Sequence, residues 1–500
     1  MKILNYILIL MAAMLVSSCE PDMQPESDLT FNGFWETEEA ARAAHTGIYA
    51  SFRNYNFTLW RMGGVRADVW GGKTFANAPN DIDLIENNIS STIVPFGNWA
   101  NFYGLVHYLN DFIKNAPDVP FQYEEDKQHM LGQIYGLRAY VYYTMLKAWG
   151  EVPISTEPLL EVNLEVLKKS RASKEEVMTQ IKNDIAKSLE YFGNDNSLWD
   201  AQNLYWSKPA TLALKGDVYL WSGKVLGGGD SDFTEAINAL EQINGFTLVD
   251  YSSLWGQENE FNDEFIFAFD YQQDQASNFY GTYFTTRAVD IAELFDEEGN
   301  SMEGYVVNGL SRYGPSDKTL LMLEDPLDQR RETFIRVYND GEAHIPFQAD
   351  NPNYVGSILK KFLGIIGDDG TRWSYNNVPL YRYADVVLLL AEAKNNLGED
   401  PTSEINQIRQ RAYGENYDAN IHGFVSGTQS ENKTAILDER YKEFIGEGKR
   451  WWDLVRAGDG IVFDEVATLD ESEAYKIYYP ISQDMLSNDS ELEQTDGYEQ

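Results

Sequence analysis

Residues 131–153 read LGQIYGLRAYVYYTMLKAWGEVP. Leu131, Ile134, Tyr135, Val141, Tyr142, Met145, Leu146 and Trp149 recur at three- and four-residue steps, which is the period of an amphipathic helix, and Gly150 with Pro153 beyond it marks the end. The same period returns on both sides. Glu38–Phe52 is one expected helix, and Asn98–Ala116 is another, with Phe102, Leu105, Val106, Leu109 and Ile113 in step before Pro117. Ser173-Lys174-Glu175-Glu176 is a capping box that opens a helix to about Phe192, and Pro209–Gly223 and Phe233–Ile243 continue the pattern. Helices are expected again at Tyr383–Leu397, Pro401–Tyr413 and Asn432–Arg456. Between them, from Gly245 to about Gly370, the chain is rich in Asn, Asp, Gly and Tyr and holds one clear strand, Glu264–Phe269. The expected fold is mainly α: helix pairs in a tetratricopeptide-like helical-repeat scaffold, with a large irregular loop-rich face and a few short strands. The strict 34-residue consensus of such repeats is absent.

The 500 residues include 39 Lys and Arg against 79 Asp and Glu, a net charge of −40. That balance excludes nucleic acid as a partner, because phosphate contacts need clustered cations. The hydrophobic fraction of 43%, with 12 Trp, 31 Tyr and 25 Phe, is ample for a core and excludes a disordered or collagen-like chain. Cys19 is the only cysteine, so the chain has no disulfide and no cysteine-based metal site. It follows Lys2, the apolar run Ile3–Val16 and Ser17-Ser18, a stretch too short to span a bilayer. Residues 1–18 therefore read as a secretory signal peptide, and Leu15-Val16-Ser17-Ser18-Cys19 resembles a bacterial lipobox with Cys19 as the lipid attachment site. Residues 19–27 read as a polar, lipid-anchored tether. Residues 28–500 read as one domain, with a helical-repeat half to about 244, a loop-rich middle at 245–370 and C-terminal helices at 371–500.

Three further segments carry a resemblance. Leu137–Tyr143 runs into Trp149-Gly150-Glu151-Val152-Pro153; Tyr381-Arg382-Tyr383-Ala384-Asp385 runs on to Ala393; and Asp438-Glu439-Arg440-Tyr441-Lys442-Glu443-Phe444 is followed by Glu447-Gly448-Lys449-Arg450-Trp451-Trp452-Asp453-Leu454-Val455-Arg456. With the ending Tyr478-Tyr479-Pro480-Ile481 and the lipobox, the chain resembles the SusD/RagB family of outer-membrane nutrient-binding lipoproteins. Read residue by residue, these motifs are structural. Glu439, Glu443 and Glu447 lie four apart and repel one another unless cations intervene, for which Arg440, Arg450 and Arg456 are at hand. Trp451, Trp452, Arg382, Asp385 and Glu392 are expected in packed, satisfied clusters.

Catalytic signatures are not found. The five histidines, His45, His107, His129, His344 and His422, include no pair three or four apart, so no helical zinc pair exists. No G-x-S-x-G elbow occurs, and Gly72-Lys73-Thr74 fails as a phosphate loop because its first glycine position is Ala67. No EF-hand spacing is present, and neither cofactor nor metal is implied. With 79 acids, a glycosidase carboxylate pair stays open as an alternative, but no context singles one out. Sugars present C–H faces to aromatic rings and hydroxyls to polar side chains, so a binding surface should show aromatics in polar loops. Two stretches qualify: Arg66–Phe75, with Trp70 and Phe75, and Asp270–Tyr283, with Tyr271, Tyr280 and Tyr283, joined later by Tyr305. Trp99 and Tyr103 fall on a helical stripe and read as core. The resemblance supports these loop regions as a ligand face. It implies a non-catalytic, surface-exposed lipoprotein that captures oligosaccharide, or less often peptide, for a SusC-like TonB-dependent outer-membrane transporter.

Overall fold

The computed structural model describes residues 34–160 and 168–499; Cys19 and the tether lie outside the described residues. The chain enters through α1 (Glu38–Arg53), whose Thr37 hydroxyl caps the Ala40 N–H, and α2 (Asn56–Gly64). Next come α3 (Ala100–Asn115) and α4 (Glu124–Trp149). At 26 residues α4 is about 39 Å long, with three acids in its first turn, Lys147 in its last, and Gly150 at φ +71° to end it. Almost every side chain of α4 from Lys127 onward is buried, because α3 covers one flank and α5 (Lys174–Phe192) another. The Ser173/Glu176 capping box opens α5 as expected. A second antiparallel pair follows, α6 (Lys208–Val225) with α7 (Gly229–Leu240). The C-terminal helices are α9 (Tyr383–Asn396), α10 (Thr402–Tyr413), α11 (Gln429–Phe444) and α12 (Arg450–Ala457); α8, Tyr280–Phe284, is a short turn in the middle region. The mainly α, tetratricopeptide-like layout is thus the one present, and one contiguous core runs from Ile48 to Tyr498.

Two expectations change. The middle region is more ordered than its composition suggested. β1 (Phe265–Phe269) pairs antiparallel with β7 (Val378–Arg382), and β2 (Phe295–Asp296), β3 (Phe334–Tyr338) and β4 (Tyr354–Leu359) form a three-stranded sheet; β5 (Ile365–Ile366) and β6 (Arg372–Trp373) make a separate hairpin. Phe334, Val337 and Tyr338 are buried, but Arg336 between them is buried as well, so the alternation that announces a strand is interrupted. The segment Asn432–Arg456 is not one helix. It breaks between Phe444 and Arg450 at Gly446 and Gly448, both at positive φ, and a Cβ on Gly448 would lie 2.7 Å from the Trp60 Cα of α2.

The break places Glu447 off the helix, and the cations that neutralise the glutamates are not those nearest in sequence. Arg382 bonds Glu264 at 2.6 Å, Glu443 at 2.6 Å and Glu447 at 2.9 Å; Lys361 bonds Glu447 at 2.7 Å; Arg411 also pairs with Glu443; and Arg330 and Arg409 hold Glu439, both at 2.8 Å. Burial works against these carboxylates, yet the surrounding cations outweigh it. They lower the Glu443 pKa and bring Glu447 down to about 2. Arg440 instead pairs with Asp453, Arg450 with Asp68, and Arg456 with Glu392, Asp217 and Asp453. Trp451 and Trp452 are both buried.

A candidate ligand face built from two loop regions

The first site element is α2. It buries Leu59, Trp60, Met62, Gly63 and Gly64 and leaves Phe57 and Arg61, one turn apart, half-exposed on the outer side. Its seat is fixed by close approach: a Cβ on Gly63 would lie 1.9 Å from the Gly448 carbonyl oxygen. The second element is a pair of loop regions, 66–81 and 279–316, which overlap the stretches Arg66–Phe75 and Asp270–Tyr283 expected from sequence and extend beyond them. Backbone hydrogen bonds join them along their length: the N–H groups of Gly71 and Gly72 donate to the Gly314 carbonyl, each at 3.1 Å, Ser316 N–H to Val69 at 2.8 Å, and Asn80 N–H to Arg312 at 3.0 Å; within the second region Arg312 N–H donates to Tyr283 at 2.7 Å. The glycines serve that crossing. A Cβ on Gly72 would fall 1.8 Å from the Pro315 carbonyl oxygen, and one on Gly314 would fall 2.2 Å from that of Lys73. Lys73 Nζ donates to the Tyr354 carbonyl at 3.0 Å, a structural bond rather than a phosphate contact.

Where the loops meet α2, rings and charges are exposed together. Tyr283 stacks on Phe57 with centroids 4.6 Å apart and planes 9° from parallel. The Arg61 guanidinium lies 5.5 Å from the Phe57 ring centre and 4.7 Å from that of Phe96. Arg61 Nε donates to Asp81 at 2.7 Å, and the Tyr313 hydroxyl donates to the same carboxylate at 2.5 Å. Burial disfavours the Arg61 charge, but Asp81 reverses the effect and raises the Arg61 pKa. Of the nine non-glycine residues at positive φ among the described residues, Asn77, Asp81 and Ser311 lie on these loops, and a fourth, Phe96, is the ring beside Arg61. Such backbone strain concentrates at functional sites. The result is a shallow platform of stacked rings edged by a fixed ion pair, able to cover an apolar face and to give and accept hydrogen bonds around it.

The residues singled out from sequence divide sharply. Tyr283 lies in the platform, and Tyr305 is half-exposed with the Arg372 guanidinium 5.8 Å from its ring. Trp70, Tyr271 and Tyr280 do not stand open to a ligand, which corrects the expectation for all three. Trp70 is 4% exposed, enclosed by Trp60, Phe284, Tyr313 and Phe334 at 5.0–6.3 Å. Tyr280 has Phe279 on one side and Phe362 on the other, each at 4.1 Å, and its hydroxyl donates to the Gly446 carbonyl at 2.6 Å. Tyr271 is buried, with its hydroxyl bonded to Asn56 at 2.9 Å. Phe75 packs over Gly356 against the small core of Met302, Val307 and Ile358. Phe57, Arg61, Asp81 and Phe96 were missed. The available signal was Phe57 and Arg61 four apart beside an apolar Leu59-Trp60 pair. Trp99 packs on Trp149 at 5.6 Å, as a core residue does, and with Tyr103 walls a groove of about 490 Å³. Among the described residues no group of three or more His, Cys, Asp or Glu side chains is disposed to hold a metal ion. Glu443 and Glu447, held ionised by arginine and lysine, are unsuited to proton transfer near neutral pH.

Residues 333–498 match the model of the SusD family, and residues 22–220 match the model described as "Starch-binding associating with outer membrane". The chain is 31% identical to NanU of Bacteroides fragilis, whose structure aligns with a TM-score of 0.85 over 96% of this chain and 100% of that one. A SusD superfamily protein from Bacteroides fragilis is also 31% identical, with a TM-score of 0.84 over 93% of this chain and 100% of that one. SusD-like protein P38 of Formosa agariphila is 27% identical over 98% of each chain. The scaffold, the paired loops and these likenesses agree: the chain belongs to the SusD family and is a protein of the outer membrane.

Proposed function

We propose that the protein is a non-catalytic surface lipoprotein, anchored through Cys19, that captures an oligosaccharide and delivers it to a SusC-like TonB-dependent transporter. The observation that carries the reading is the Phe57–Tyr283 stack set against the Arg61–Asp81 pair. Pyranose rings offer an apolar C–H face ringed by hydroxyls, which is the complement of rings bordered by a guanidinium and a carboxylate. A relative supports the ligand class: the starch-binding protein SusD of Bacteroides thetaiotaomicron is 30% identical over 24% of this chain. The net charge of −40 suits a neutral ligand better than a polyanion. No transmembrane helix is long or apolar enough among the described residues to provide attachment, and the lipid on Cys19 would supply it.

Affinity electrophoresis and calorimetry across a polysaccharide panel test this. The Phe57→Ala/Tyr283→Ala double variant should bind the retained glycan at least about tenfold more weakly. Both rings are half-exposed, so its melting temperature should move by no more than about 3 °C. Undiminished affinity in the double variant contradicts the assignment, and product release from any polysaccharide contradicts the non-catalytic reading.

A further inference from the structure

Of the 12 tryptophans, Trp373 alone is exposed, at 39%. It sits on the β5–β6 hairpin beside Tyr375, its ring 5.7 Å from the tyrosine ring and within 2° of parallel. Tyr375 is buried and anchors the pair. One part of the indole rests on Gly367, where a Cβ would meet it at 3.1 Å, and the rest is open to water. The hairpin is not a free arm. Arg372 Nε donates to the Val306 carbonyl at 2.5 Å, and Asn278 N–H donates to the Ser374 carbonyl at 2.8 Å. A Cβ on Gly281 would lie 2.0 Å from Ser374 Oγ. Gly281 and Tyr283 are both on α8, so the hairpin abuts the element that carries Tyr283 of the platform. The Asp369 carboxylate and the Thr371 N–H, bonded at 2.9 Å, lie at the exposed turn beside the indole.

An exposed tryptophan in a fixed orientation, flanked by the Asp369 carboxylate and borne on a hairpin that packs through Ser374 against the helix of Tyr283, has the composition of a second stacking position. We infer that Trp373 is a specificity-determining subsite for the distal units of the same glycan, so that the protein selects chains long enough to reach from Phe57 and Tyr283 to the hairpin. This rests on the ligand face proposed above. The test uses size-graded oligosaccharides of starch, laminarin, mannan and xylan, with the wild type, Trp373→Ala and Tyr283→Ala measured by calorimetry. The wild type should gain at least about tenfold in affinity from the shortest retained oligomer to the longest. Trp373→Ala should abolish that gain and leave the shortest oligomer bound as before, whereas Tyr283→Ala should weaken every length. Iodide quenching gives a second readout: the accessible fluorescence should disappear in Trp373→Ala and be protected in the wild type by long oligomers only. If Trp373→Ala binds long chains normally, or weakens all lengths alike, the subsite is overturned while the platform stands. If Tyr283→Ala changes nothing, or no oligomer of the panel is retained, the platform falls and the subsite with it.

Discussion

Trp70 and Tyr283 look alike in sequence, each a large ring in a polar, glycine-containing loop, and the structure buries the first and leaves the second half-exposed. Trp70 has four aromatic neighbours and 4% exposure, so Trp70→Ala should cost about 3–5 kcal/mol of stability in chemical denaturation while the remaining folded protein keeps its glycan affinity. Tyr283→Ala should do the reverse. Sequence composition could nominate both loops because loops that bear function collect aromatic and glycine residues. It could not sort the rings, because burial depends on which strand of loop crosses over them. Gly72 and Gly314 permit that crossing, and their 242-residue separation hides it. Phe57 and Arg61 escaped notice for a related reason. The helix that carries them is nine residues long, too short for periodicity to stand out, and Gly63-Gly64 reads as a turn until Gly448 is seen packed against it.

At the scale of elements, the helices announce themselves and their partners do not. Capping at Ser173, the stop at Gly150 and the apolar steps of α3 and α4 are local signals, and they hold in the structure. The ion network is non-local. Arg382 at the end of β7 joins Glu264 beside β1 with Glu443 and Glu447 near α11, three stretches that sequence spacing cannot pair. Buried charges of this kind are costly to separate. Arg382→Ala should destabilise the protein by about 3–5 kcal/mol in urea unfolding, because it leaves three buried carboxylates short of a partner. The same carboxylates set the acid limit. Their folded pKa values lie below the ordinary glutamate value, so the stability they contribute is complete above about pH 4.5 and is lost as pH falls toward 2, where Glu447 takes its proton. Thermal melts should therefore lose ground steeply below pH 4.5. A melting temperature unchanged down to pH 3 would contradict this assignment of the cluster.

The whole molecule is a helical scaffold that holds a loop-built face, and the proposed lipid anchor at Cys19 lies outside the described residues. Cys19→Ala should shift the protein from the membrane fraction to the soluble one, and the protein beginning at Asp22 should fold unaided, since the sequence of residues 19–27 is polar and shows no periodic apolar face. Retention in the membrane by Cys19→Ala would remove the lipoprotein reading. The central claim is that the ligand lies on the Phe57–Tyr283 platform, and a crystal structure of the protein beginning at Asp22 with a retained oligosaccharide tests it most directly. The account predicts a pyranose ring packed on Phe57 or Tyr283, with hydroxyls bonded to Arg61 or Asp81 and the chain running toward Trp373. A sugar seated instead in the groove walled by Trp99 and Tyr103, with the platform empty, would contradict it.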